Sequence, residues 1–160
     1  MRIAVVALVL AATASTTQAD TAAGGKAIRF SEHGFAIVPP AGHDAAQMQQ
    51  VVTMMLPGAG GFAPNVNVQV QPFHGTIEEY LNVSKDQFKS GGITLLSEKH
   101  DARTATIEYK GTMQGQPLHW YARAFLAKNG LVLATGTALE SQWKSASAVL
   151  RKSVDSLRPL

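Results

Sequence analysis

The chain contains no cysteine. It therefore has no disulfide, no thiolate nucleophile, no Cys-ligated metal and no lipid-bearing cysteine behind a leader. Charge is scarce: charged residues make up 16% of 160 positions, with 14 Lys and Arg against 11 Asp and Glu. That small, dispersed excess argues against nucleic acid as a partner. No apolar run reaches the roughly 20 residues that a membrane-spanning helix needs. The sequence also lacks a His-Glu-x-x-His pair, a Gly-x-Ser-x-Gly elbow and a Gly-Lys-Ser/Thr phosphate loop, so nothing in it calls for a metal or a cofactor.

What is present begins with an address. Arg2 precedes an unbroken Ile, Ala, Val and Leu run from Ile3 to Ala12, and a small polar stretch ends at Thr17-Gln18-Ala19. This is the layout of a secretory signal peptide, and it predicts cleavage near Ala19-Asp20 and a periplasmic or secreted product without a transmembrane segment. Residues 20–26 read as a flexible lead-in, and residues 27–158 as one domain. A chain of that size buries enough surface to fold without disulfides.

Ala27 to Glu32 and Phe35 to Val38 read as short strands around a His33-Gly34 turn, ended by Pro39-Pro40. The apolar run Val51 to Leu56 predicts a buried strand. Pro57 to Pro64, rich in Gly, reads as a flexible connection. In Asn65 to Gln71, Val66, Val68 and Val70 alternate with Asn65, Asn67, Gln69 and Gln71, which places valines toward the core and amides on the other face. Thr76-Ile77-Glu78-Glu79 matches a capping box, and Ile77, Leu81, Ser84 and Phe88, with Tyr80 beside them, share a helical face that stops at Gly91-Gly92. Four alternating segments follow between Ile93 and Leu139, joined by short turns and hence antiparallel. Leu118 to Ala127 carries aromatic residues on both sides, as a central strand covered on both faces would. From Ser141 to Leu157, Trp143, Ala146, Leu150, Val154 and Leu157 form one apolar stripe of a second helix. The expected class is α+β: an α/β/α sandwich with a central antiparallel sheet and two main helices.

Four segments add a resemblance. Gly34-Phe35-Ala36-Ile37-Val38-Pro39-Pro40-Ala41-Gly42, Pro64-Asn65-Val66-Asn67-Val68, Thr76-Ile77-Glu78-Glu79-Tyr80, and Thr135-Gly136-Thr137-Ala138 before a Trp-bearing helix ending Ser153-Val154-Asp155-Ser156-Leu157-Arg158 are similar, in order and spacing, to the pattern of the PsbP-like family, which includes DcrB-like exported bacterial proteins. The resemblance implies the same sandwich and a role in binding another macromolecule. It implies no shared catalytic residue.

Candidate chemistry is thin. His33, His43, His74 and His100 fall in or beside loops and read as solvated turn residues, and His119, at the edge of a strand, reads as a satisfied sheet-face histidine. Glu98, Asp101 and Glu108 flank one turn in which Asp101-Ala102-Arg103 reads as hairpin chemistry, with a weak calcium site as the sharper alternative. Three surfaces stand out for binding: the amides Asn65, Asn67 and Gln69, read as a wet sheet face open to a peptide or sugar; Phe62 in the Gly-rich loop, as an anchor or a core cap; and the basic residues Lys144, Arg151 and Lys152 on the last helix. The leading expectation is a non-enzymatic exported accessory protein that binds a protein or a cell-envelope component. The alternatives are a small-molecule or lipid carrier lined by Tyr109, Trp120 and Phe125, and a hydrolase with a dispersed site.

Overall fold

Period-two alternation is realised as strands in one antiparallel sheet of six, ordered β3-β4-β8-β7-β6-β5. The computed structural model describes residues 28–30, 35–37, 49–128 and 130–159; the predicted leader and lead-in lie outside them. The strands are β3 (Gln49–Met55), β4 (Asn65–Gln71), β5 (Thr94–His100), β6 (Thr104–Met113), β7 (Gln116–Ala127) and β8 (Gly130–Leu139). Two short strands before them, β1 (Ile28–Phe30) and β2 (Phe35–Ile37), pair with each other in a separate sheet. The expected antiparallel pair is thus present, but it does not join the main layer. His33 and Gly34, the residues assigned to its turn, lie outside the described residues.

The helices α1 (Ile77–Ser90) and α2 (Glu140–Asp155) lie on opposite faces. On one face Leu118, Trp120, Ala122 and Ala124 of β7 pack with Ile77, Tyr80, Leu81 and Phe88 of α1. On the other, Tyr121 and Val66 pack with Ala146, Leu150 and Val154 of α2. This is the expected α/β/α sandwich. Each helix covers part of its face, with α1 on β5 and β6 and α2 on β4, β7 and β8.

Local chemistry sets the helix ends. Thr76 Oγ1 accepts from the Glu79 amide at 3.1 Å, and Glu79 Oε2 accepts from the Thr76 amide at 2.8 Å, completing the predicted capping box. Helix α2 packs close to the sheet because β8 has a glycine beneath it. A Cβ on Gly136 would sit 3.1 Å from the Cβ of Leu150, so any larger residue pushes the helix away.

Three expectations are corrected. The Pro57–Pro64 segment is an ordered turn: Ala59 and Phe62 exchange backbone hydrogen bonds at 3.1 and 3.3 Å. Gly60 and Gly61 between them take φ of +63° and +80°, a left-handed pair that two-residue hairpin turns demand. Gln142 of α2 secures this turn, donating from Nε2 to the carbonyls of Ala59 at 2.9 Å and Phe62 at 3.2 Å, while its Oε1 accepts from the Leu139 amide. One side chain thus holds three backbone groups from two distant segments. Gln142→Ala should cost about 1–2 kcal/mol. It should also speed amide hydrogen exchange at Ala59 and Phe62 while leaving the β7 amides unchanged.

The second correction concerns β3, expected to be buried. It is an edge strand, with Val51 48%, Met54 46% and Met55 46% exposed. An apolar composition does not distinguish a central strand from an edge, because the neighbours are set by the chain's path. The third concerns β4. Its amides are more deeply buried than two of its valines: Asn65, Asn67, Gln69 and Gln71 are all buried, whereas Val68 and Val70 are half-buried.

Candidate functional site

The amide row of β4 faces the α1 side of the sheet. In register, Asn65 lies opposite Thr137 and Asn67 opposite Thr135 on β8, while Gln69 and Gln71 lie opposite Leu133 and Leu131. Directly opposed residues share a face, so the amides and the two threonines form one continuous patch. Asn67 and Thr135 are fully buried. The wet sheet face expected from the alternation is therefore absent, and Asn65, Asn67 and Gln69 are not a solvent-facing surface.

The patch is also poorly satisfied. Eight buried side-chain N or O atoms among the described residues have no hydrogen-bond partner. Seven of them are here: Asn65 Oδ1, both polar atoms of Asn67, Gln69 Oε1, Gln71 Nε2, Thr135 Oγ1 and Thr137 Oγ1. An unsatisfied buried polar group costs about 1–3 kcal/mol, and folded proteins hold few of them. Their concentration on one face is the least conventional feature of the molecule.

The opposite face carries a different polar cluster, and this one is closed. His119, buried on β7, has Nδ1 at 2.7 Å from Glu140 Oε2 and Nε2 at 2.9 Å from Glu108 Oε1. Both ring nitrogens thus face a carboxylate oxygen, one on β6 and one on α2. Its plane stacks on Trp143 of α2, centroids 3.9 Å apart. Arg151 Nη2 donates to Glu108, and the guanidinium lies 4.4 Å over the Tyr121 ring. Tyr121 Oη donates to Asp155 at 2.8 Å, and Lys110 Nζ to Glu140 at 3.2 Å.

The charges in this cluster compensate one another. Burial pushes the Glu108 carboxyl up, but hydrogen bonds and charge from Arg151 and His119 outweigh it, leaving the carboxyl below its ordinary range. Glu140 is likewise held low, with its slight burial outweighed by His119 and Lys110. The Tyr121 phenol is raised, by burial first and then by its bond to Asp155. Every named group has a partner inside the cluster, which ties α2 to β6 and β7. The sequence placed His119 on a sheet face as a satisfied residue, and that is its position. Its pairing with Glu108 and Glu140, 11 and 21 positions away, has no local spacing that the sequence could show.

The remaining candidates separate. Phe62 is half-buried and packs against the main core, so it caps that core. Arg151 is engaged in the cluster, whereas Lys144 and Lys152 are exposed. Tyr109 and Trp120 stack on each other in the core beneath α1, and Phe125 projects to the other face, so the three do not line one pocket. Asp101 closes the β5–β6 hairpin: its Oδ1 accepts from the Arg103 and Thr104 amides at 2.8 Å, and its Oδ2 from the Thr104 hydroxyl at 2.7 Å. These bonds, the one from the Arg103 amide foremost, hold its carboxyl low and occupy the oxygens that a calcium ion would need. No group of three or more His, Asp or Glu residues suited to a metal occurs among the described residues, and His33 and His43 lie outside them. No helix among the described residues is long and apolar enough to cross a membrane.

No family model matches the sequence, and no curated protein matches it. Solved structures do. A protein of unknown function from Pseudomonas aeruginosa superposes with a TM-score of 0.61 at 12% identity, covering 86% of this chain and 99% of that one. Cyanobacterial PsbP (CyanoP) from Synechocystis also appears, with a TM-score of 0.43 at 13% identity, covering 74% of this chain and 95% of that one. At 12% identity the first of these is a likeness of fold alone, and the antiparallel sheet with two helices described above is of the expected α+β class.

Proposed function

We propose that this chain is an exported, non-enzymatic accessory protein that works by binding another polypeptide, and that the β3 edge is its contact surface. The observation that carries this is the exposure of Val51, Met54 and Met55 on one uncharged edge strand. Five large hydrophobic residues are exposed among the described residues, and three of them are here. The opposite edge, β5, bears Glu98, Lys99 and His100, with Glu98 paired to Lys85 at 3.4 Å. Charges of that kind discourage edge-to-edge pairing, and β3 has none from Gln49 to Met55. Methionine adapts its shape to a partner, and an extended segment can add its backbone to such an edge.

The export reading rests on the Ile3 to Ala12 run and the Thr17-Gln18-Ala19 ending. Mass spectrometry of the protein recovered from its native compartment should give a chain beginning at Asp20.

The partner reading is tested by a photo-activated cross-linker placed at Met55, in the wild-type background and in Val51→Lys/Met54→Lys. Surface changes of this kind alter stability by no more than about 0.5 kcal/mol, so the fold should persist. The discrete cross-linked species should disappear in the double variant. An identical cross-linking pattern in both backgrounds would refute the assignment of the edge. A second reading, docking on an anionic envelope surface, is favoured only by the exposed Lys144 and Lys152, and anionic vesicle sedimentation checks it with Lys144→Glu/Lys152→Glu.

A further inference from the structure

We infer that the buried array of Asn65, Asn67, Gln69, Gln71, Thr135 and Thr137 is a binding site for a small, neutral, polyhydroxylated ligand of the saccharide class. The site adjoins β3, whose Met55 and Thr53 pair with Asn65 and Asn67, but it includes none of Val51, Met54 and Met55, and its test reads sugar binding rather than cross-linking, so failure of one reading is distinguishable from failure of the other.

Three properties of the array select the ligand. The first is neutrality. No charged side chain belongs to the patch, and the charged cluster around His119 lies on the other face of the sheet. An ionic ligand would be stripped of water there with no counter-charge to receive it. The second is the mixture of unpartnered groups. They include three amide oxygens, two amide nitrogens and two hydroxyls. A ligand that only accepts, such as an ester, would leave the three amide oxygens unpaired, and one that only donates would leave the two amide nitrogens. A hydroxyl does both, and several hydroxyls on a compact ring suit groups that repeat across neighbouring strands. The third is enclosure. Asn67 and Thr135 have no exposure, and Asn65 and Thr137 at most 2%. A polymer must run out into solvent, whereas a small ligand can be surrounded.

None of the seven atoms touches solvent, so binding requires that the array be uncovered before a ligand reaches it. Binding should therefore be slow for its affinity, with association well below the usual range for an open site. The unpartnered groups lower the cost of uncovering it, because water or hydroxyls would satisfy them.

The experiment titrates the protein with D-glucose and with N-acetyl-D-glucosamine, and uses glucose 6-phosphate as the charged comparator. Calorimetry and native mass spectrometry give the stoichiometry. At least one neutral sugar should bind at one per chain, and the phosphorylated one should not. Thr135→Val removes one hydroxyl at nearly constant shape and should weaken binding about tenfold with folding intact, because a polar group of the ligand is then left without its partner. Asn67→Leu should abolish binding while raising the melting temperature of the free protein, since it removes two unpartnered atoms. Retention of full affinity in Thr135→Val would overturn the assignment. So would equal binding of glucose 6-phosphate, or no saturable binding of either neutral sugar at millimolar concentration.

Discussion

Glu108→Ala should lower the stability of the folded chain by about 3 kcal/mol at neutral pH, among the largest effects expected of any single polar substitution here. Glu108 is largely buried and lies against both His119 and Arg151, so its removal leaves the buried His119 ring and the Arg151 guanidinium without their shared partner. Arg151 is 37% exposed at its side chain, and water softens its share, which is why the lower end of the range for a broken buried pair applies. The loss should depend on pH in a defined direction. Glu108 is held below its ordinary value of 4.5, so the folded chain binds fewer protons there than the unfolded chain. Its contribution is complete above that ordinary value and declines as pH falls through the lower, folded value. Urea denaturation at pH 7 and again below pH 4 should therefore show a wide gap between wild type and variant that narrows in acid. A gap that stays constant with pH would mean that Glu108 acts through packing alone. Glu108→Gln, which keeps the shape and one acceptor oxygen, should recover part of the loss.

Trp120→Ala should cost about 3–5 kcal/mol. Trp120 is 2% exposed and stacks on Tyr109 with centroids 5.1 Å apart, and Tyr109 stacks on Phe88 at 4.6 Å. The three rings run from β7 through β6 to α1, so they join the centre of the sheet to one covering helix. Burial holds the Tyr109 phenol well above its ordinary range, as expected for a ring sealed in this stack. Removing the indole empties volume that no neighbour can fill without dragging α1 inward. A domain of this size has only about 5–15 kcal/mol of net stability, so the variant should unfold at a small fraction of the wild-type denaturant concentration. Guanidinium titration followed by far-ultraviolet circular dichroism reads this directly. A midpoint shift worth less than about 1.5 kcal/mol, the scale of a volume-conserving swap, would show that the stack contributes little beyond shape.

These two expectations concern opposite faces of β7, and they differ in how visible they were in the sequence. The apolar side of β7, the capped start of α1 and the stripe on α2 are local patterns. Their residues are two, three or four positions apart, and a strand or helix of fixed period aligns them without reference to the rest of the chain. That is why Ile77, Tyr80, Leu81 and Phe88, and Ala146, Leu150 and Val154, appear on the expected faces. The antiparallel order of the later strands was equally legible, because turns of a few residues allow no other direction.

Position within the sheet was not legible. Val51, Met54 and Met55 look like core residues in sequence, yet β3 is at an edge, and only pairing with β4 alone produces that exposure. The polar residues of β4 look like a solvent face, yet they lie beside Leu131 and Leu133 on a buried one. Alternation shows that two faces differ, but it does not show which is deeper once a strand lies inside a two-sided layer. Glu108, His119, Glu140 and Arg151 likewise meet only because β6, β7 and α2 are neighbours in space. The elements, their periodic faces and their antiparallel order can be read along the chain, since they depend on short-range geometry. Which strand is the edge, which polar row is enclosed and which charges compensate one another emerge only on folding, because each depends on contacts between residues far apart along the chain.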